Sequence, residues 1–177
     1  MDRKHKNHRP AWKLDRDFVS YVSPVLKSGG IRKTDGFRQH GGTTRFSHCV
    51  SVAYYSLKAA NFLRIRCDSG SLVRGALLHD YYLYDWREKE ISHLKNAWIH
   101  PKVARHNAVR DYGVNALEQN IIVRHMFPVV PIPPLHVEGL IVCVADKLCG
   151  LAESFGINKL PLPGNREIWQ DGNNYVN

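Results

Sequence analysis

Apolar positions recur at helical spacing along most of this chain, and polar or proline-rich stretches separate them. Residues 11–27 carry Trp12, Phe18, Val19, Val22 and Leu26 on such a pattern, with Pro24 positioned to bend or end the element. Residues 28–42 are polar and glycine-rich and read as a long loop. Thr43 or Thr44 caps a second helix over 45–64, bodied by Val52, Tyr55, Ala59 and Phe62. Asp68 or Ser69 precedes a third over 70–82, and a mixed-charge loop follows over 84–99. Pro101 suits the first turn of a fourth helix, 101–112, which Gly113 ends. Asn115 with Glu118 three residues on reads as a capping box opening a fifth helix that runs to Met126. Residues 128–134 are too proline-dense for helix or central strand. A sixth helix over 135–155 is the most apolar segment, and the chain from Pro161 reads as irregular. No run alternates as a strand would. The pattern predicts an all-α, compact single-domain helical bundle.

Length and composition agree with that picture. The chain has 177 residues, 44% hydrophobic and 23% charged, which is the range of a globular domain and excludes disorder and disulfide scaffolds. Apolar runs such as 141–145 are far shorter than the roughly 18–20 residues that span a bilayer. No membrane partner is expected. Residues 1–10 are basic with no apolar stretch behind them, so a secretory signal is not expected either. Cys49, Cys67, Cys143 and Cys149 form no CxxC pair and read as free thiols of a cytoplasmic protein.

Charge changes the picture more. The net charge is +9; residues 1–45 hold 11 Lys/Arg against 4 Asp/Glu, and residues 46–177 hold 14 against 12. The excess lies at the N-terminal end and favours anionic partners: nucleotides, phosphate esters or nucleic acid. Arg3, Lys4, Lys6 and Arg9 cluster as a nucleic-acid footprint would, although no nucleic-acid fold motif accompanies them.

Ten histidines supply the candidate chemistry. His5, His8 and His40 fall in polar segments and read as solvent-exposed, and His93, His106 and His136 read as bystanders. His48, His79, His100 and His125 fall at or near predicted helix ends or first turns. Asp80 follows His79 directly after the apolar stretch 75–78. Asp146 interrupts another apolar run, with Val142, Cys143, Cys149 and Gly150 on its helical face. A carboxylate buried there without a cation costs several kcal/mol, of order 3–5, so an arginine or a metal ion is expected beside it. Neutral imidazole with carboxylate suits Fe, Mn, Zn or Co. Arg45 lies one turn before His48 and is expected to contact substrate phosphate, as is Lys147 beside Asp146. Tyr54, Tyr55, Tyr81 and Tyr82 read as core rather than as a base-stacking pocket.

The ordered pattern H…HD…H…H…D resembles the HD-domain superfamily of metal-dependent phosphohydrolases. Arg45-Phe-Ser-His48, Ala76-Leu-Leu-His79-Asp80 and Val144-Ala-Asp146-Lys147 carry the resemblance, which covers about residues 40–155. His100-Pro-Lys-Val-Ala104 and Arg124-His125 are similar to the segments of its binuclear branch. That branch includes bacterial hydrolases of diadenosine tetraphosphate and of cyclic dinucleotides. Residues 83–86 and 124–128 are also similar to stretches of small bacterial HD proteins.

The resemblance implies one or two divalent ions (Fe, Mn, Zn, Co or Mg). His48, His79 and Asp146 would hold one ion, His100 and His125 the second, and Asp80 would bridge them as the catalytic carboxylate. It implies hydrolysis of a small phosphorylated substrate, a nucleotide, by water activated on the metal. Di-iron oxygenases share the ligand pattern, and a nucleotide-sensing module without turnover is the remaining alternative. Leu83 stands where many HD enzymes carry Lys or Glu; Asp85, Lys95, Arg105 or Lys147 are the candidates to compensate. The implied organisation is a basic arm, first helix and loop over 1–42, the HD domain over 43–156 and an irregular tail over 157–177.

Overall fold

Four helices start where a short polar side chain can accept an orphan backbone N–H. In the computed structural model, which describes residues 16–88 and 91–156, Thr44 accepts from the Ser47 N–H and opens α2, Arg45–Phe62. Asp68 accepts from the Ser71 N–H ahead of α3, Ser69–Leu78. Ser92 accepts from the Lys95 N–H ahead of α4, His93–Tyr112. The expected capping box is present: Asn115 and Glu118 satisfy each other's backbone N–H at the start of α5, Ala116–Arg124. Two further helices complete the order, α1, Arg16–Lys27, and α6, Val137–Ser154, with a 3₁₀ turn over Ile31–Gly36 between α1 and α2.

The fold is all-α. Among the described residues the only β pairing is one isolated bridge between Arg38 and Thr44. α3 is the central rod: Leu72, Val73, Ala76, Leu77 and Leu78 are fully buried, and α1, α2, α5 and α6 pack around it. Phe18, Val22, Val25 and Leu26 of α1 and Ile31 of the 3₁₀ turn belong to the same core as α2, α3 and α6. None of the described helices is long and apolar enough to cross a membrane. Cys49, Cys143 and Cys149 are buried free thiols, and Cys67 is half-buried and free.

The fourth helix departs from the expectation. It begins at His93 rather than at Pro101, so the last part of the anticipated 84–99 loop is helical. Pro101 sits inside the helix, where a proline ordinarily costs about 3 kcal/mol. A continuous buried stripe of Asn96, Ala97, His100, Ala104, Asn107 and Ala108 runs across it and offsets that cost. Gly113, at φ 57°, closes the helix in the left-handed region where a side chain would be strained. The basic arm and the C-terminal tail fall on residues 1–15 and 157–177, outside the described residues.

Candidate metal centre

Five helices deliver the predicted donors to one point. His48 comes from the first turn of α2, His79 is the C-cap of α3 and Asp80 follows it. His100 comes from α4, His125 is the C-cap of α5, and Asp146 comes from α6. All four imidazoles are buried, three of them at 0–1% exposure. His48 Nε2 lies 3.0 Å and His79 Nε2 3.6 Å from Asp146 Oδ1. His79 Nε2 lies 3.7 Å from Asp80 Oδ2. On the other side, His100 Nε2 and His125 Nε2 are 3.0 Å apart, at 3.2 and 3.5 Å from Asp80 Oδ1. The six residues named from the sequence are thus brought together, with Asp80 between two corners.

The ring orientations are set from behind. His79 and His125 each lie 2.7 Å through Nδ1 from the carbonyl three residues earlier, Ala76 and Ile122. These are carbonyls of the last helical turn, short of the usual i+4 donors, so each cap residue helps satisfy its own helix end, His79 through its backbone N–H as well at 3.5 Å. His100 Nδ1 lies 2.9 Å from the Asn96 carbonyl. His48 Nδ1 instead lies 2.9 Å from Glu153 Oε2 on α6. A carbonyl or carboxylate oxygen can only accept, so each Nδ1 carries a proton and each Nε2 points inward, where a cation would displace any proton it holds; His48 Nε2 itself faces the Asp146 carboxylate.

That arrangement calls for a cation. When neutral, His100 and His125 aim lone pairs at one another across 3.0 Å. His79 Nε2 and Asp80 Oδ1 are buried with no hydrogen-bond partner, a condition that costs about 1–3 kcal/mol per group. Two imidazoles bound at about 2.0–2.1 Å at right angles on one ion stand about 3.0 Å apart, so the spacing suits a transition metal. The donor atoms of His48, His79 and Asp146 lie within 4.8 Å of one another, as do those of His79, Asp80 and His125. The two three-donor groups share the single inward nitrogen of His79, which can bind one ion at a time, and the N/O donor chemistry suits the first-row metals.

Electrostatics follow the same division. Burial works against charge on every group here, and the neighbours decide the outcome. At His48 burial pulls the pKa down, but Asp146 and Glu153 on its two nitrogens outweigh it and push it up to about 10. His79 is raised against burial, chiefly by Asp80. Asp80 and Asp146 are held well below the usual carboxylate range despite burial, Asp80 mainly by His79 and His100, Asp146 by His48 and His79. At His125 burial and then His79 push the pKa down to about 3, which keeps that ring neutral.

The centre forms the floor of a cavity of about 400 Å³. Asp80, His100, His125, Asp146 and Lys147 reach it, and Gln39, His40, Tyr82, Trp86, Arg87 and His93 form much of its rim. Lys147 donates to the His125 carbonyl at 2.6 Å and to Asp146 Oδ2 at 2.9 Å, with its side chain about one-third exposed. His40 and His93, expected to stand apart from the chemistry, are exposed but line the cavity. Leu83 does not line it, and of the four candidates to replace its charge only Lys147 does.

Arg45 does not fit the phosphate contact expected of it. It is 0% exposed and does not line the cavity, and its guanidinium donates to the Tyr82 and Tyr84 carbonyls while stacking 3.6 Å from the Tyr82 ring centre. Packing of the 82–84 turn over the start of α2 turns it inward. Sequence reasoning missed Glu153 and Gln39. Glu153 lies seven residues after Asp146, two helical turns along the same face, which is a signal that could have found it. Gln39 sits in a polar loop with no periodic signal.

A buried histidine–carboxylate centre on converging helices defines a class of helical metalloproteins. The chain belongs to the HD domain family, which matches residues 45–151 and consists largely of metal-dependent hydrolases. No curated protein and no solved structure matched the chain.

Proposed function

We propose that this protein is a metal-dependent phosphohydrolase that cleaves a phosphate ester or anhydride of a nucleotide. The observation that carries the reading is the pair of donor triads sharing His79 at the base of an open cavity. His48, His79 and Asp146 would hold one divalent ion and His100 and His125 a second, with Asp80 between them. Such ions supply Lewis acidity, lowering the pKa of water from about 16 to near 7 and polarising a phosphoryl oxygen.

The chain's own groups do the rest. Asp80 offers one oxygen to each corner and orients the attacking water by accepting its hydrogen bond. Lys147, held by the His125 carbonyl and Asp146, places an ammonium where charge gathers on the equatorial oxygens. Trp86, with His93 edge-on at 4.2 Å, supplies aromatic surface for a base. The cavity volume lies within the roughly 300–1,000 Å³ of small-ligand sites.

The test pairs elemental analysis of purified protein with phosphate or p-nitrophenol release from nucleotides, pNP-phosphate and bis-pNP-phosphate, run anaerobically with and without chelator and again in air with oxygen uptake followed. Bound divalent metal and chelator-sensitive phosphate release are expected. Metal-free protein that stays inactive on metal addition, or oxygen consumption without phosphate release, would overturn the reading.

A further inference from the structure

The two oxygens of Asp80 face different corners of the centre, Oδ2 toward His79 and Oδ1 toward His100 and His125. Rotation about the terminal torsion of an aspartate is soft, so something must hold that plane. Gln39 does so by donating from Nε2 to Asp80 Oδ2 at 2.5 Å. Its own amide is locked in turn. Arg45 Nε donates to Gln39 Oε1 at 3.2 Å, and because a guanidinium can only donate, the oxygen must face Arg45 and the nitrogen must face Asp80. Arg45 is itself buried and donates to the Tyr82 and Tyr84 carbonyls at 2.7 and 3.3 Å. The Gln39 backbone is fixed as well: its N–H donates to the Thr43 carbonyl, and its carbonyl accepts from Arg87 Nη2, both at 2.9 Å.

We infer that Arg45 and Gln39 form a positioning relay, in which buried Arg45 sets the Gln39 amide and Gln39 sets the Asp80 carboxylate for metal. The inference rests on the metal reading above and gives Arg45 a task other than touching phosphate. Outer partners of metal-bound carboxylates characteristically change affinity by about 10–100-fold. Gln39 is half-buried on a loop, so replacing it with an isostere leaves the helical core intact. The relay also predicts non-additivity. Once Gln39 is gone, Arg45 has no route to Asp80, so its replacement should cost little more metal affinity.

The experiment is cobalt(II) titration of demetallated protein by visible absorbance, with circular dichroism and thermal unfolding run in parallel. Gln39→Met should weaken cobalt affinity about 10-fold or more with helicity and unfolding temperature close to wild type. Arg45→Lys should weaken it comparably, and the double variant should be no weaker than the poorer single. A Gln39→Met protein that binds cobalt as tightly as wild type overturns the relay, as do additive effects in the double variant. If Arg45→Lys fails to fold, the Gln39→Met titration alone decides. Wild-type protein that takes up no cobalt overturns the metal reading and the relay together, and so is distinguishable from failure of the relay alone.

Discussion

The two corners of the centre are built from the same donor types but are supported differently. At the corner of His48, His79 and Asp146, His48 is backed by the Glu153 carboxylate at 2.9 Å. At the corner of His100, His125 and Asp80, both imidazoles are backed only by main-chain carbonyls, Asn96 and Ile122. A carboxylate behind an imidazole raises its basicity more than a neutral carbonyl does. On the proposed reading the first corner would therefore be the tighter seat for a cation. The second holds two imidazoles facing each other 3.0 Å apart and would be the more easily emptied. Asp80 lies between the two, with one oxygen toward His79 and the other toward His100 and His125.

The largest effects should come from the shared residues. His79→Ala or Asp80→Ala is expected to remove nearly all bound metal and abolish hydrolysis while circular dichroism still reports a folded helical protein. Unchanged metal stoichiometry in either variant would count against the shared role. The contrast between corners is sharpened next. His125→Ala should retain about one metal per chain by elemental analysis, whereas His48→Ala, which breaks the stronger seat, should retain less. Equal losses would erase the distinction.

A smaller effect is expected from Glu153→Gln. It leaves every ligand in place and should weaken only the tighter site, by about 10-fold, read as a shift of one phase in a two-phase cobalt titration. The smallest concerns Lys147, which touches both corners but is partly exposed and so screened. Lys147→Met should lower kcat/KM about 10-fold by removing one donor to the phosphoryl group, with metal content unchanged. Loss of metal in that variant would make Lys147 a support of Asp146 instead.

Local chemistry made much of this legible beforehand. Thr44, Asp68 and Asn115 announce their helices because capping needs only a side chain two or three residues from an N–H. The H…HD…H…H…D order names six residues that the structure gathers at one point, with His48 in a first turn and His79 and His125 at helix C-caps, but with His100, expected at a helix start, inside α4. α4 was harder to read. Ser92 caps it inside a mixed-charge stretch, while Pro101 imitates a helix start two turns later, and only burial of Asn96, Ala97 and His100 against the bundle settles the boundary.

The sequence by itself determined most of the helices and their caps, because spacing along one chain dictates which side chains share a turn, and its resemblance to the HD superfamily supplied the six candidate donors. The tertiary structure alone decided the partners that aim those donors. His48 meets Glu153 across 105 residues, Gln39 meets Asp80 across 41, and Arg45 is folded inward by the 82–84 turn. Such hydrogen bonds depend on the distance and rotation between packed helices and loops, which no local periodicity encodes.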